Sequence, residues 1–559
     1  VVSIPAAAVL ALVVVAPFEV PLRTFAFALT LTTVEAVIAM SVIVSSGAMV
    51  YARQPVIWRT PITAAVFACL AAGFVSALLS PVDQGNALRF AGRMLAAAAI
   101  AGVVVNAVAT RALARVLVGT LLAVAVAVSI VAVMEVAQVP SVATALTLFR
   151  PGFHVVGGQL RATSTLLYPT VTSMYLEVAF ALGLWLLLER GTDAKRSHSI
   201  AVFVALATIV AGIVATFTRA GLLGATAALG LAAALHYGKA RRIDRTHVRL
   251  AGLTAVLVVL VLASRSPDVL LARLSNEGSQ EWYGAAYQAP ASLAFTTGAE
   301  YQVPVTIENT GQVVWDSSTV PMFAMSYHWL RADQDAVIEF DGWRTPFAAP
   351  VPPGARVTVP VDVRAPGMPG QYVLVWDVVH EHRAWLSTEG VPPARSRVEV
   401  TGPPVAPTKT SMRRLPIANR PADRFTLWRA AVAIGLENPV FGLGPDNFRK
   451  VYGRYSDRPA FDTRVHANNM YLEALAGGGI VGFVALSWLM AASGLAVFRR
   501  WWRAAAGAAP AAVALCAAWL VIASHGLVDS FLSFTTTYAL FAITAGLAFS
   551  PGMADADRV

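Results

Sequence analysis

The sequence predicts an all-α polytopic membrane protein with an inserted extracytoplasmic β-sandwich. Three observations carry that prediction. Hydrophobic residues make up 57% of the chain and charged residues 13%, where a water-soluble domain carries about 25% charge. The apolar residues stand in long unbroken runs, such as Leu117 to Met134, which holds no charge. Between residues 285 and 403 those runs give way to short alternating ones.

The runs come first. A bilayer core needs about 20 apolar helical residues, and in lipid only helices or closed barrels satisfy the backbone. Continuous rather than alternating apolarity selects helices. They are expected at 4–20, 25–50, 61–80, 87–108, 112–136, 168–188, 200–218, 220–237, 248–264, 468–498, 509–525 and 531–549, about twelve crossings. The stretch 200–238 holds one full charge, Arg219. As a single helix it would be roughly 58 Å long, about twice the membrane core. It therefore reads as two crossings with Arg219 at the hairpin tip.

Orientation follows from the basic loops. Arg53 and Arg59, Arg111 and Arg115, Glu189 to His198 with Arg190, Lys195 and Arg196, Lys239 to Arg249, and Arg499 to Arg503 all fall on one side of that helix count. The positive-inside rule makes that side cytoplasmic. Both termini then lie inside, and 265–467 lies outside. The chain divides into nine transmembrane helices (1–280), the β-insert (285–403), an extracytoplasmic loop with an amphipathic helix (404–467), and three more helices (468–559).

The net charge of +10 and isoelectric point near 9.8 are accounted for by those loops. No basic stripe interleaved with aromatics accompanies them, which excludes nucleic acid as a partner. Cys69 and Cys516 both lie in apolar runs and read as core thiols, with neither a disulfide framework nor a metal site. The first apolar run has no basic leading segment, so no cleavable signal peptide is expected.

The insert carries alternating runs such as Gln302 to Glu308 and Arg356 to Val363, punctuated by Asn309-Thr-Gly311, Pro352-Pro-Gly354 and Pro366-Gly-Met-Pro-Gly370. That spacing suggests a β-sandwich. With Trp315, Tyr372, Trp376-Asp377 and Trp385 it resembles an immunoglobulin-like domain of bacterial envelope proteins. A glycan-binding or docking module and an inert spacer are both open readings. After the Pro-rich linker Pro403 to Pro407, Asn419-Arg-Pro421 opens a helix from Asp423 to Leu436. It is expected to present Phe425, Trp428, Ala431, Val432 and Gly435 to the membrane interface, and Asn438-Pro439 ends it.

The residues fit for chemistry gather outside the membrane. If helical, His466-Ala-Asn-Asn-Met-Tyr-Leu-Glu473 places His466, Asn469 and Glu473 on one face. Histidine is the side chain suited to take a proton near neutral pH; a polar collar at a helix entry is the plainer reading. Upstream stand Asp423-Arg-Phe-Thr-Leu-Trp428 and Asn438-Pro-Val-Phe-Gly442-Leu-Gly444-Pro-Asp-Asn447-Phe. This combination, in this order, resembles the O-antigen ligase and polymerase superfamily of membrane glycosyltransferases. Weaker matches are Arg161 to Pro169, Thr216-Phe-Thr-Arg219-Ala-Gly221 and His525 to Ser530. The resemblance covers most of 60–550 apart from the β-insert. Two departures stand out: Tyr168-Pro169 replaces the Asn-Pro or Pro-Asn of many relatives, and Gly478 stands where relatives often have Glu.

The resemblance implies a bacterial inner-membrane enzyme. Its donor would be an undecaprenyl-diphosphate-linked glycan, its acceptor a lipid or glycan, with membrane lipids around it and no cofactor. Transfer would be metal-independent and inverting. A diphosphate leaving group needs cations that stay charged, and arginine forks onto phosphate oxygens. Arg219 and Arg424 would hold it, with Arg161 third; a snorkelling arginine is the bland alternative. His466 would be the catalytic base. Asn469, Tyr471, Glu473, Asn447 and Trp428 would line the substrate. No Asp-rich metal motif, nucleotide-binding glycine loop or nucleophilic serine constellation is present. Glu135 and Glu177, within apolar runs, mark either function or structural pairing. A polymerase remains open beside a ligase. So do a transporter, which would show internal repeats, and an envelope protein whose β-domain does the work.

Overall fold

The computed structural model describes residues 3–23, 30–150, 154–156, 159–189, 196–275, 282–318, 322–333, 336–381, 383–405, 422–456, 461–505 and 509–553. Arg190, Lys195, the end of the Pro-rich linker at 406–407, and Asn419 to Pro421 lie outside the described residues.

The helices are α1 (Ile4–Val15), α2 (Thr33–Tyr51), α3 (Thr63–Leu78), α4 (Gln84–Ala107), α5 (Arg111–Val136), α6 (Pro140–Leu146), α7 (Pro169–Leu188), α8 (Arg196–Ala215), α9 (Arg219–Ala240), α10 (Arg245–Ser264), α11 (Pro267–Ser275), α12 (Arg424–Glu437), α13 (Phe448–Val451), α14 (Met470–Arg503), α15 (Ala509–His525) and α16 (Thr535–Phe549). Eight of them are long and apolar enough to cross a membrane, and four shorter ones, α1, α3, α15 and α16, are apolar as well. The chain is a multi-pass membrane protein. The stretch 200–238 breaks at Thr216–Thr218, so α8 and α9 are separate and Arg219 opens the second.

All of these helices except α11 belong to one helical unit, which spans residues 1–154, 161–266 and 424–559. Almost every residue of α7, α15 and α16 is buried, and α15 packs on both α7 and α9. Other helices keep large apolar side chains on their outer faces: Ile43, Val50, Phe67, Leu223, Val259 and Leu262 are all more than half exposed. Water would penalise each by about 1.5–3 kcal/mol relative to burial, and hydrocarbon would not.

Two sequence expectations need correction. The helix expected at 468–498 runs Met470–Arg503 and is interrupted at Gly479, whose φ of 60° and ψ of −160° are not helical. Its start is fixed by Asn469, whose Oδ1 accepts the N–H groups of Tyr471 and Leu472 at 3.0 Å each. An asparagine cap ends the helix on its own N-terminal side, so His466 precedes α14 and shares no helical face with Asn469 and Glu473. In α12 the buried side is Leu427, Ala430, Ala431, Ile434 and Gly435. Ala431 and Gly435, expected at the membrane interface, are thus buried, while Phe425 and Val432 are 58% and 39% exposed. Gly435 leaves room for Leu475 of α14.

Two short hairpins pair β1 (Pro21–Arg23) with β2 (Thr30–Thr32) and β3 (His154–Val156) with β4 (Gln159–Arg161). The second unit contains β5 (Ala285–Gln288), β6 (Ser292–Thr296), β7 (Glu300–Asn309), β8 (Phe323–Arg331), β9 (Val337–Glu339), β10 (Thr345–Pro346), β11 (Arg356–Arg364), β12 (Gly370–His380), β13 (Ala384–Trp385) and β14 (Ala394–Thr401). One sheet has the order β10-β8-β12-β14-β6 with β9 and β13 at its side; the other is β11-β7-β5. Residues alternate between buried and exposed along β7, β11 and β14, and both sheets contribute to one core around Trp315, Trp329 and Trp376. The side chains singled out in the sequence lock its turns. Asn309 Nδ2 donates to the carbonyls of Val313 and Val351 at 2.8 and 2.9 Å, and its Oδ1 accepts from Gly311 N–H. Tyr372 donates to Met368 O at 2.9 Å, and Trp376 Nε1 to Ser396 Oγ at 2.8 Å.

Candidate functional site

Gly442-Leu-Gly444 and Gly477-Gly-Gly479 form a single main-chain interlock. A Cβ on Gly442 would stand 2.5 Å from the Gly477 carbonyl carbon, and one on Gly479 would stand 2.4 Å from that of Val440. Leu443 and Gly444 donate N–H bonds to Ala476 and Gly477 at 3.0 and 2.8 Å, and Ile480 donates to Pro439 at 2.8 Å. The turn replaces helical partners that α14 loses at its break. Ser76 of α3 and Ser80 just after it tighten the joint, donating to the carbonyls of Phe441, Gly477 and Leu443.

That joint presents Asp446 beside His466. His466 Nδ1 lies 3.7 Å from Asp446 Oδ1 and 3.5 Å from Glu473 Oε1. Glu473 is held by Ala467 N–H, which donates to its Oε2 at 2.7 Å. Asp446 Oδ2 takes Arg449 Nη2 at 2.9 Å and Asn86 Nδ2 at 3.0 Å. Burial pulls the imidazole pKa down, but Glu473 and Asp446 outweigh it and hold the value above the ordinary 6.5. His466 Nε2 has no hydrogen bond among the described residues. A largely apolar cavity of about 170 Å³ opens beside this cluster, between α3, α4, α14 and α16, and reaches Asp446, Glu473, Ser530 and Ser533.

The arginines form the second half. Arg161 Nε donates to Thr216 O at 3.2 Å and Nη2 to Thr218 Oγ1 at 3.0 Å; Thr218 precedes Arg219 at the start of α9. Both of these acceptors are neutral oxygens. Burial first, then the charges of Arg424 and Arg219, pull Arg161 down to about 10, with Asp529 the carboxylate opposing them. Arg161 therefore feels the charges of two arginines distant in sequence. Below it lies a buried pair, His525 Nδ1 with Glu177 at 3.1 Å. Ser173 donates to the same carboxylate at 2.7 Å, and Gly221 and Gly224 of α9 leave the space those side chains fill.

A string of rings joins the two halves. His154 meets Tyr168 at 5.4 Å, Tyr168 meets Phe534 at 5.6 Å, and Phe534 meets His466 at 5.9 Å, each edge to face. The backbone is strained in the same places. Among the described residues, seven residues other than glycine have positive φ, and four of them, Ser164, Phe217, Asp446 and Asn468, lie within three positions of Arg161, Arg219, Asn447 or His466. Each such conformation costs about 1–3 kcal/mol and tends to persist at functional sites.

Residues 418–487 match the family model described as O-antigen ligase. This match supports placing the chain in the O-antigen ligase superfamily. No curated protein matches the chain. The O-antigen ligase segment contains Arg424, Trp428, Asn447, His466, Asn469, Tyr471 and Glu473; Arg161 and Arg219 come to the site from outside it.

Several side chains expected to line substrate are occupied in holding the site. Asn447 is fully buried, with Nδ2 within 3.0 Å of Ser80 Oγ, Asp83 O and Leu443 O. Asn469 caps α14 and donates to Leu527 O at 2.9 Å. Tyr471 donates to Ala523 O at 3.3 Å, and Trp428 Nε1 to Asn468 O at 3.3 Å. Asp446, Asp529, His525 and Tyr168 were not singled out as site residues. All four stand inside the motifs that carry the resemblance, which is their one signal in the sequence. Asp446, His466 and Glu473 each bring one metal-ligating atom within 4.8 Å of the others, as do His236, Asp244 and His247. In the second group Asp244 also caps α10.

Proposed function

We propose that this protein is a glycosyltransferase that moves a glycan from an undecaprenyl-diphosphate carrier to an acceptor hydroxyl at the outer face of the inner membrane. Both termini and the basic loops would be cytoplasmic, and residues 265–467 extracytoplasmic. The observation that carries the reading is an imidazole braced by two carboxylates, in a helical unit where Arg161 is bonded to Thr216 and Thr218 next to Arg219 and feels the charge of Arg424. In this reading the arginines hold the diphosphate and stabilise the charge it gains as it leaves. His466 Nε2 takes the acceptor proton while the acceptor oxygen bonds to the anomeric carbon. The bond from that carbon to the diphosphate breaks, and its electron pair leaves with the phosphate. Glu473 and Asp446 hold the Nδ1 side of the ring and favour the imidazolium that forms. Tyr168 and Phe534 offer half-buried rings against which a sugar can lie. The arginines supply the positive charge, so no metal is needed. The polymerase reading differs only in the acceptor, a lipid-linked chain in place of a lipid core or wall polymer.

A second reading has its own observation. The clustered ligand atoms of Asp446, His466 and Glu473 suit a divalent cation that would activate the acceptor. One experiment separates the two. Purified protein is given a lipid-diphosphate-linked oligosaccharide, with and without acceptor and EDTA, and release of lipid diphosphate is followed. Release that needs acceptor, survives EDTA and disappears in His466→Ala and Arg424→Ala is expected. Loss in EDTA, restored by a divalent cation, would replace the first reading with the second. Unchanged release in both variants would refute the site.

A further inference from the structure

We propose that Glu135 is a positioning residue that fixes the loop carrying Arg161, so that this guanidinium is aimed at a diphosphate. The proposal rests on the glycosyl-transfer reading above. Glu135 lies in the last turn of α5 and is 1% exposed. Its Oε2 accepts the N–H of Thr163 at 3.1 Å and of Ser164 at 2.7 Å. Its Oε1 lies 2.6 Å from Nη2 of Arg150, which is also buried. One carboxylate therefore holds both Arg150 and the main chain of Thr163 and Ser164, just beyond Arg161.

The stretch 162–164 is also tied to three helices. Ser164 Oγ donates to Val128 O of α5 at 2.8 Å, and Thr172 Oγ1 of α7 donates to Thr163 O at 2.6 Å. Ala162 N–H donates to Ala215 O, the last residue of α8, at 3.0 Å. Ser164 adopts φ 51°, a conformation a serine holds only when its surroundings impose it. The two N–H groups converging on Glu135 are such a constraint.

A carboxylate suits this place for two reasons. It only accepts, so it can face two N–H groups and a guanidinium together, whereas an amide would turn donors toward donors. Its charge is also taken up by Arg150. The charges that act on Arg161 are those of Arg424, Asp529 and Arg219. Glu135 thus organises the loop through the backbone and leaves the cation of Arg161 for its ligand.

The test uses the full chain in lipid nanodiscs and measures binding of farnesyl diphosphate, with inorganic pyrophosphate as a second arm. Glu135→Gln and Arg161→Ala should each weaken both probes by about tenfold. The double variant should bind no more weakly than Arg161→Ala alone, because two changes that act through one contact do not add. Losses that multiply in the double variant would overturn the proposal, as would wild-type affinity in Glu135→Gln. Loss confined to farnesyl diphosphate would do the same, since it would place the effect on the lipid tail. Should Glu135→Gln fail to fold, Arg150→Met removes the carboxylate's other contact and is held to the same non-additivity. Wild-type binding by Arg161→Ala would refute the anion site itself, a result distinct from a failure of Glu135 alone.

Discussion

Replacing Gly479 by alanine attacks the joint between the two glycine motifs at its tightest point. Gly479 has φ 60° and ψ −160°, a region in which any residue but glycine costs roughly 1–3 kcal/mol. A Cβ there would stand 2.4 Å from the carbonyl carbon and oxygen of Val440 and 2.7 Å from Phe441 N. These are backbone atoms, so the turn must move as a whole. Moving it strains the bonds from Ile480 to Pro439, Leu443 to Ala476 and Gly444 to Gly477. If two of the three are lost at about 1 kcal/mol each, the total is about 3–5 kcal/mol. For a helical unit of this size that lowers the unfolding midpoint by about 5 °C. The neighbouring Gly478 is the internal control, because a Cβ there meets nothing within 4 Å. Thermal unfolding of Gly479→Ala and Gly478→Ala in the same detergent, with transfer activity alongside, makes the comparison. Gly479→Ala should lose both stability and activity, and Gly478→Ala should keep both. Equal damage from the two would refute the reasoning, since alanine at Gly478 meets nothing and favours a helix over glycine, so the close approach at Gly479 could not be the cause.

Four further predictions follow from the same contacts. His466 is held above 6.5 by Glu473 and Asp446 against the effect of burial. That interaction stabilises the fold below pH about 6.5 and is lost as pH rises through the higher folded value. A base must be neutral to act, so transfer should rise with pH along a limb above 6.5, and Glu473→Gln should shift that limb to lower pH; an upward shift would contradict the assignment. Arg424→Ala or Arg219→Ala should cost about 100-fold or more in lipid-diphosphate release, while thermal unfolding shows the fold retained. Tyr168→Ala should raise KM for the glycan more than it lowers kcat, as expected for a residue that binds ground state and transition state alike. In the β-unit, Asn309→Ala removes two donated bonds and one accepted bond in a buried turn, and should destabilise that unit by about 2–3 kcal/mol, measured by urea unfolding.

The helices were legible because hydropathy writes itself along the chain. One charge, Arg219, sufficed to split a run too long for one crossing. The candidate site was legible as a set of motifs but not as a geometry. Nothing in the periodicity announces that Gly479 breaks α14, because a backbone angle leaves no trace in hydropathy. The cap at Asn469 was readable in principle, and recognising it would have kept His466 off the helix. In α12, Ala431 and Gly435 were expected at the membrane interface but are buried; their small size lets Leu475 approach, a long-range contact that helix periodicity does not show. Asn447, Asn469, Tyr471 and Trp428 looked like ligands because they are polar or amphipathic and sit in motifs. Their partners, such as Ser80 and Leu527, are long-range and invisible in one sequence. Glu177 could be flagged, but not its pairing with His525, which lies 348 residues away.

The glycine joint also bears on how such a chain can change over time. Gly442 and Gly479 each occupy the space that a side chain on the other segment's backbone would need. A substitution at either cannot be rescued by shrinking its neighbour, because the neighbour is already main chain. The two motifs form a ratchet, open to change only if the turn and the helix break are rebuilt together. Sequence length inserted before the turn, or after the helix, leaves the joint untouched. A chain built this way can accept a whole additional domain ahead of its reactive segment more readily than a single methyl group within it.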